Sequence, residues 1–154
     1  MANSVRHQIM DAVTDALEGI KIADGYQSDV RKVSENFEGH QQIAMRELPA
    51  VFPLDTNETK IVDAIGIGAT DDSVSELTVN CTCVVFDRTN TTRLKRTNLL
   101  RDVEKALRND TSLAALIVSI VPDEVTTDQG TVVNYSIWDQ SFIITYSYSS
   151  TSGG

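Results

Sequence analysis

A chain of 154 residues with 41% apolar and 23% charged content has the composition of one globular domain, and at that size it needs no metal or disulfide staple. Its 22 acidic against 13 basic residues leave a net charge of −9, which excludes nucleic acid as the default partner of the whole surface, because phosphate binding needs clustered positive charge. Two cysteines two positions apart make no disulfide framework, and no apolar run nears the length of a membrane helix, so a soluble protein kept in a reducing cytoplasm is expected.

The opening residues, MANSVRHQIMDAV, are broken by acidic side chains and predict a helix, not a signal peptide. Val5, Ile9, Ala12, Val13, Ala16, Leu17 and Ile20 recur at steps of three and four, which predicts one amphipathic helix from Ser4 to about Ile22. Asn3 or Ser4 is its expected N-cap, and Asp24-Gly25 its stop. Val30, Val33 and Phe37 predict a short irregular strand ended by Gly39, and the stretch 40–48 has no clear period. Pro49 and Pro53 bracket Ala50-Val51-Phe52, so any strand there is expected to be short or at an edge.

From Lys60 the period becomes two. Ile61, Ile65 and Ile67 share a face, with Gly66 and Gly68 allowing a bend, and Asp71-Asp72-Ser73 reads as a turn. The next strand puts Leu77, Val79, Cys81, Cys83 and Val85 on one face and Thr78, Asn80 and Thr82 on the other, which completes a hairpin. A second helix is predicted from Thr92 to Arg108 on a stripe of Leu99, Leu100, Val103, Ala106 and Leu107. Ala115–Val121, apolar on both faces, is expected to be a central strand. An acidic loop, 122–130, follows, and then a long strand, 135–148, with Trp138, Phe142, Ile144, Tyr146 and Tyr148 on its apolar face. This order predicts an α+β domain over residues 1–148, with an antiparallel or mixed sheet of about four to six strands packed with two amphipathic helices. Residues 149–154 are expected to be a disordered tail.

Catalytic signals are weak. His7 lies off the apolar stripe and His40 in a polar loop, and the motifs of nucleophile elbows, phosphate loops and zinc proteases are absent. Cys81 and Cys83 share a strand face, but no further thiol or paired histidine completes four zinc ligands, so small buried apolar residues is the better account. The carboxylates Asp71, Asp72, Asp123, Glu124 and Asp128 fit no metal-ligand spacing. No cofactor is expected, and no metal.

Charge arrangement is more informative. Seven of the thirteen basic residues fall between Arg88 and Arg108 against two acids, so that stretch carries +5 and the rest of the chain −14. Arg101, Lys105 and Arg108 form one stripe on the back of the second helix. Asp11, Asp15 and Glu18 form the mirror stripe on the first. Two solvated faces would account for this, as would nucleic-acid binding by the basic helix, which the surrounding −14 opposes. So would head-to-tail pairing of an acidic back on one copy with a basic back on the next, a contact that closes into rings when the rotation permits.

The segment order, with GIKIADGY closing the first helix, then Pro49-Ala50-Val51-Phe52-Pro53-Leu54-Asp55, a hairpin, Leu99-Leu100-Arg101-Asp102-Val103-Glu104-Lys105-Ala106-Leu107, the Asp123…Thr127-Asp128-Gln129-Gly130 loop and a last strand with Thr145-Tyr146, resembles the tail terminator, or tail-completion, proteins of long-tailed bacteriophages (the minor tail protein U type) over roughly residues 5–148. The resemblance implies a non-enzymatic α+β virion protein, assembled in the host cytoplasm, whose homo-hexameric ring caps the head-proximal end of the tail tube. Implied partners are other copies of itself, the tail tube protein, the head–tail connector or neck protein, and the sheath where the tail contracts. DNA would pass through the lumen without specific binding, and no membrane is involved. Within that picture, Asp11, Asp15, Glu18, Arg101, Lys105 and Arg108 are the expected subunit interface. Asp123, Glu124 and Asp128 are the expected contacts to tube or connector. The alternatives are another neck or tail-tube protein, or a small metal-dependent enzyme using the acidic loops.

Overall fold

The structure, a computed structural model, describes residues 4–37, 39, 42–63, 72–89, 91–128 and 134–149. Helix α1 spans Val5–Glu18, and Ser4 is its N-cap, with Oγ accepting from His7 N at 3.2 Å. It stops four residues short of the expected end. Gly19 closes it, and Ile22–Asp24 form a separate 3₁₀ turn finished by Gly25 at a φ of 94°. The Asp24-Gly25 signal therefore ends that turn, which Asp29 holds by accepting from Ile22 N at 2.7 Å.

Strand β1 is only Lys32–Val33, so the expected strand through Phe37 is a two-residue ladder. Phe37 instead meets the ring of Phe52 edge-on at 5.2 Å. β2 runs from Ala50 to Asp63 and pairs antiparallel with β3, Asp72–Phe86. It thus begins ten residues before the expected period change. Pro53 is tolerated because β1 covers only Ala50 and Val51, leaving β2 an edge from Phe52 onward. Asp72 and Ser73 belong to β3 rather than to a turn, and the expectations for Ile65–Gly68, Asp71 and His40 lie outside the described residues. α2 spans Thr92–Asn109, within one residue of expectation.

The clearest correction concerns Ala115–Val121. Asp110 caps a one-turn helix, α3 (Thr111–Ala114), by accepting from Leu113 N at 2.8 Å, and residues 115–118 follow as turn. Leu113, Leu116 and Ile117 pack on the core from this turn, so the apolar run belongs to a helical turn, which a short apolar stretch cannot declare. β4 is Ser119–Thr127 and is an exposed edge, not a central strand. The expected acidic loop 122–130 is therefore strand as far as Thr127. β5 spans Tyr135–Ser149. Ser149, the first residue of the expected tail, pairs with Asp72, and the rest of that tail lies outside the described residues.

The fold is α+β: a mixed five-stranded sheet in the order β1-β2-β3-β5-β4, with β1 parallel to β2 and the other pairs antiparallel. All three helices cover one face. Their Ile9, Val13, Leu17, Leu99, Val103, Leu107 and Leu113 meet Leu77, Val79, Cys81 and Cys83 of β3 and Trp138, Phe142, Ile144 and Tyr146 of β5. A smaller cluster of Ile43, Leu48, Ala50, Phe52 and Val84 covers one end of the opposite face. Beyond it that face carries a polar group among exposed apolar side chains such as Leu54 and Val121: Thr82 Oγ1 and Asn80 Nδ2 donate to Asp139 at 2.6 and 3.2 Å, and Ser141 Oγ donates to Asp123 at 3.3 Å. Thr78, Asn80 and Thr82 are thus the polar face that the alternation of β3 predicts.

Candidate assembly surface

α1 and α2 lie side by side in one layer. α1 packs over β1 and β2, and α2 over β3, β5 and β4. Each buries the stripe its periodicity marks, so the charged backs turn outward, and Asp11, Asp15, Glu18, Arg101, Lys105 and Arg108 are all exposed. The acidic stripe therefore stands over one lateral half of the subunit and the basic stripe over the other. Among the described residues no ion pair joins the two stripes. Asp11 meets His7 Nε2 at 3.3 Å, an exposed i,i+4 pair of small energetic weight. Lys105 Nζ donates to Gly25 O at 3.1 Å and lies 4.9 Å from the centre of the Tyr26 ring. Arg101, Lys105 and Arg108, with Glu104 and Asn109, line an open cleft of about 400 Å³.

The second expected group is split. Asp123 and Glu124 sit in mid-β4, where Glu124 N donates to Ser141 Oγ at 3.2 Å. Asp128 follows the strand and its N–H donates to Ile137 O at 2.9 Å. The three carboxylates are thus spread along a strand and its exit instead of gathered in a loop.

Sequence reasoning missed Asp102. Counted among the acids of the basic stretch, it is only 3% exposed and turns inward, where both carboxylate oxygens accept from Gln27 N at 3.2 and 3.0 Å. The signal was present, because position 102 lies on the stripe of Leu99, Val103 and Ala106. Asp102 ties the basic helix to the connection after the 3₁₀ turn, which fixes where the basic stripe points. A polar group at the opposite end of the sheet also went unread. Glu58 accepts from the Tyr146 hydroxyl and pairs with Lys60 at 3.0 Å, while Arg6 of α1 pairs with Asp55 of β2 at 2.6 Å.

Cys81 and Cys83 are both fully buried, and Cys83 Sγ donates to Cys81 O at 3.7 Å. Burial pushes the Cys81 thiol up to about 12 and Cys83 well above the ordinary value, which holds both as protonated thiols, the poorly nucleophilic form, near neutral pH. A charged thiol reagent is expected to leave both unmodified in the native protein and to modify both once denaturant unfolds it. Modification at full rate without denaturant would contradict this burial. Among the described residues no group of three or more His, Cys, Asp and Glu side chains is placed to hold a metal ion, and no helix is long and apolar enough to cross a membrane.

Compared with known proteins, the chain matches no family model and no curated protein sequence.

Proposed function

We propose that this chain is a structural, non-enzymatic virion protein whose copies join head to tail in a ring that caps the head-proximal end of a phage tail tube. There it ends tube growth and offers a surface to the head's connector. The observation that carries the reading is the lateral separation of charge: an acidic helix back over β1 and β2, and a basic one over β3, β5 and β4. A patch and its complement at separate places on one subunit can make a heterologous contact, which closes into a ring at the right rotation. The α+β fold agrees with the resemblance drawn from segment order. A net charge of −9 suits a channel through which DNA slides without sticking.

Light scattering of the purified protein across concentration and salt tests the ring. The mass is expected to climb from monomer to a closed hexamer at low salt and to fall back at high salt, as exposed charge pairs are screened. Arg101→Glu with Lys105→Glu should hold the protein monomeric with unchanged circular dichroism, as should Asp15→Lys with Glu18→Lys. Mixing the two double variants should restore the hexamer, because each supplies the sign the other lacks. Normal assembly of either variant alone would refute pairing through these stripes. Terminator action is read separately: added to polymerising tail tube protein, the chain should stop growth, and undiminished elongation would refute that role.

A further inference from the structure

The irregularities of the sheet are not spread evenly. All fifteen residues of β3 pair with β5 in unbroken register. The register shifts fall instead in the outer pairings, two between β2 and β3 and one between β4 and β5. All three prolines of the chain sit there too: Pro49 just before β2, Pro53 within it and Pro122 within β4.

β4 is the outermost strand of the sheet, and among the described residues no strand lies beyond it. Its side chains are exposed or half-exposed along the whole length, including Val118 just before it at 68%, Val121 at 54% and Val125 at 42%. An open edge of nine residues with exposed valines is a template for another strand. Its middle is unfit for that use. Pro122 has no N–H to give, and the register jumps between Pro122, opposite Phe142, and Val125, opposite Gln140. Three steps on β4 thus answer two on β5, which makes one extra residue and a bulge at Asp123-Glu124. Those two residues also place two carboxylates on the edge, and like charge repels a second copy of the same edge.

We propose that Pro122, Asp123 and Glu124 guard the β4 edge, so that a second copy of this chain cannot extend the sheet there. This inference stands apart from the ring reading, since it concerns a contact that is refused. It gives Asp123 and Glu124 a role inside the subunit's own assembly behaviour, where the sequence alone assigned them to a tube or connector.

The test is a variant that restores a plain edge: Asp123 deleted, with Pro122→Val and Glu124→Thr. By light scattering at matched concentration it is expected to form open-ended species roughly tenfold or more heavier than the wild-type protein, and to bind thioflavin T. Salt should not reverse this association, whereas it should reverse a ring held by exposed charge, so the two readings fail separately. Amides of β4 should gain hydrogen-exchange protection as the variant is concentrated. A variant with native circular dichroism and wild-type mass would overturn the guard. Should the deletion misfold, Asp123→Val with Glu124→Thr keeps the chain length and decides in its place: growth in mass supports the guard, and an unchanged mass overturns it.

Discussion

Trp138→Ala is expected to lower the free energy of unfolding by about 3–5 kcal/mol, read as the shift of a denaturant midpoint at unchanged slope. Trp138 is 1% exposed and among the largest buried side chains of the core between β5 and the helices. Its loss leaves a cavity that a sheet fixed by β3 on one side and β4 on the other cannot collapse. It also breaks a polar chain. Trp138 Nε1 donates to Gln140 Oε1 at 3.2 Å, and Gln140 Nε2 donates to Leu100 O in α2 at 2.9 Å. Trp138→Phe should cost less than the alanine variant, because it keeps most of the volume and loses only the donor to Gln140. Equal midpoints for wild type and Trp138→Ala would contradict the packing.

Glu58→Leu is the second large effect, at about 1–3 kcal/mol near neutral pH, since it leaves the buried Tyr146 hydroxyl without its acceptor. The same group gives stability a pH dependence of definite sign. Burial pushes the Glu58 carboxyl up, but hydrogen bonds from Tyr146 and Lys60 and the charges of Lys60 and Arg6 outweigh it, and the folded value lies below the ordinary 4.5. A carboxylate held low in the folded state contributes stability that is present above the unfolded value and lost as pH falls through the folded one. Wild-type stability should therefore decline below about pH 4.5, and Glu58→Gln should flatten that part of the decline. Identical acid limbs for the two proteins would assign the effect to other carboxylates. At the alkaline end, burial first and then the Glu58 charge hold the Tyr146 phenol protonated well above its usual range. That part of the stability is intact below pH 10 and fades as pH rises past it.

Where a strand or helix buries one face, the sequence announced it. β3, β5, α1 and α2 each alternate or step with the period of their own element, and the buried apolar residues they give to the main core are the ones marked. Buried polar groups such as Asp102, Ser75 and Gln140 went unread. The failures share a physical cause. β4 is exposed on nearly every residue, so nothing imposed alternation on it, and its acidic middle read as loop. Leu113, Leu116 and Ile117 reach the core from a turn too short to show a period, and Asp110, just past the end of α2, is the cap that starts α3. β2 was obscured by prolines that are tolerable only because β1 is two residues long, which is a fact about a neighbouring strand. At the candidate surface, the charge stripes were legible because helical geometry alone places Arg101, Lys105 and Arg108 together. Their position over one half of the sheet, opposite the acidic stripe, was not, since it depends on how two distant helices dock. The inward turn of Asp102 was marked by its place on the apolar stripe, but its partner was not, since Gln27 lies 75 residues away.

β5 lies between β3 and β4 although it comes after both, so every β3–β5 pair encloses α2, α3 and β4 in one long loop. As the chain leaves the ribosome, β2 and β3 can meet at once, but the second side of β3 stays open until Tyr135–Ser149 has emerged. Closing that loop comes late and costs chain entropy before any contact repays it, which slows folding relative to a sheet built from sequential hairpins. During that interval the inner strand, whose apolar row is Leu77, Val79, Cys81, Cys83 and Val85, keeps an unpaired edge, the kind of exposure that makes nascent chains prone to aggregate.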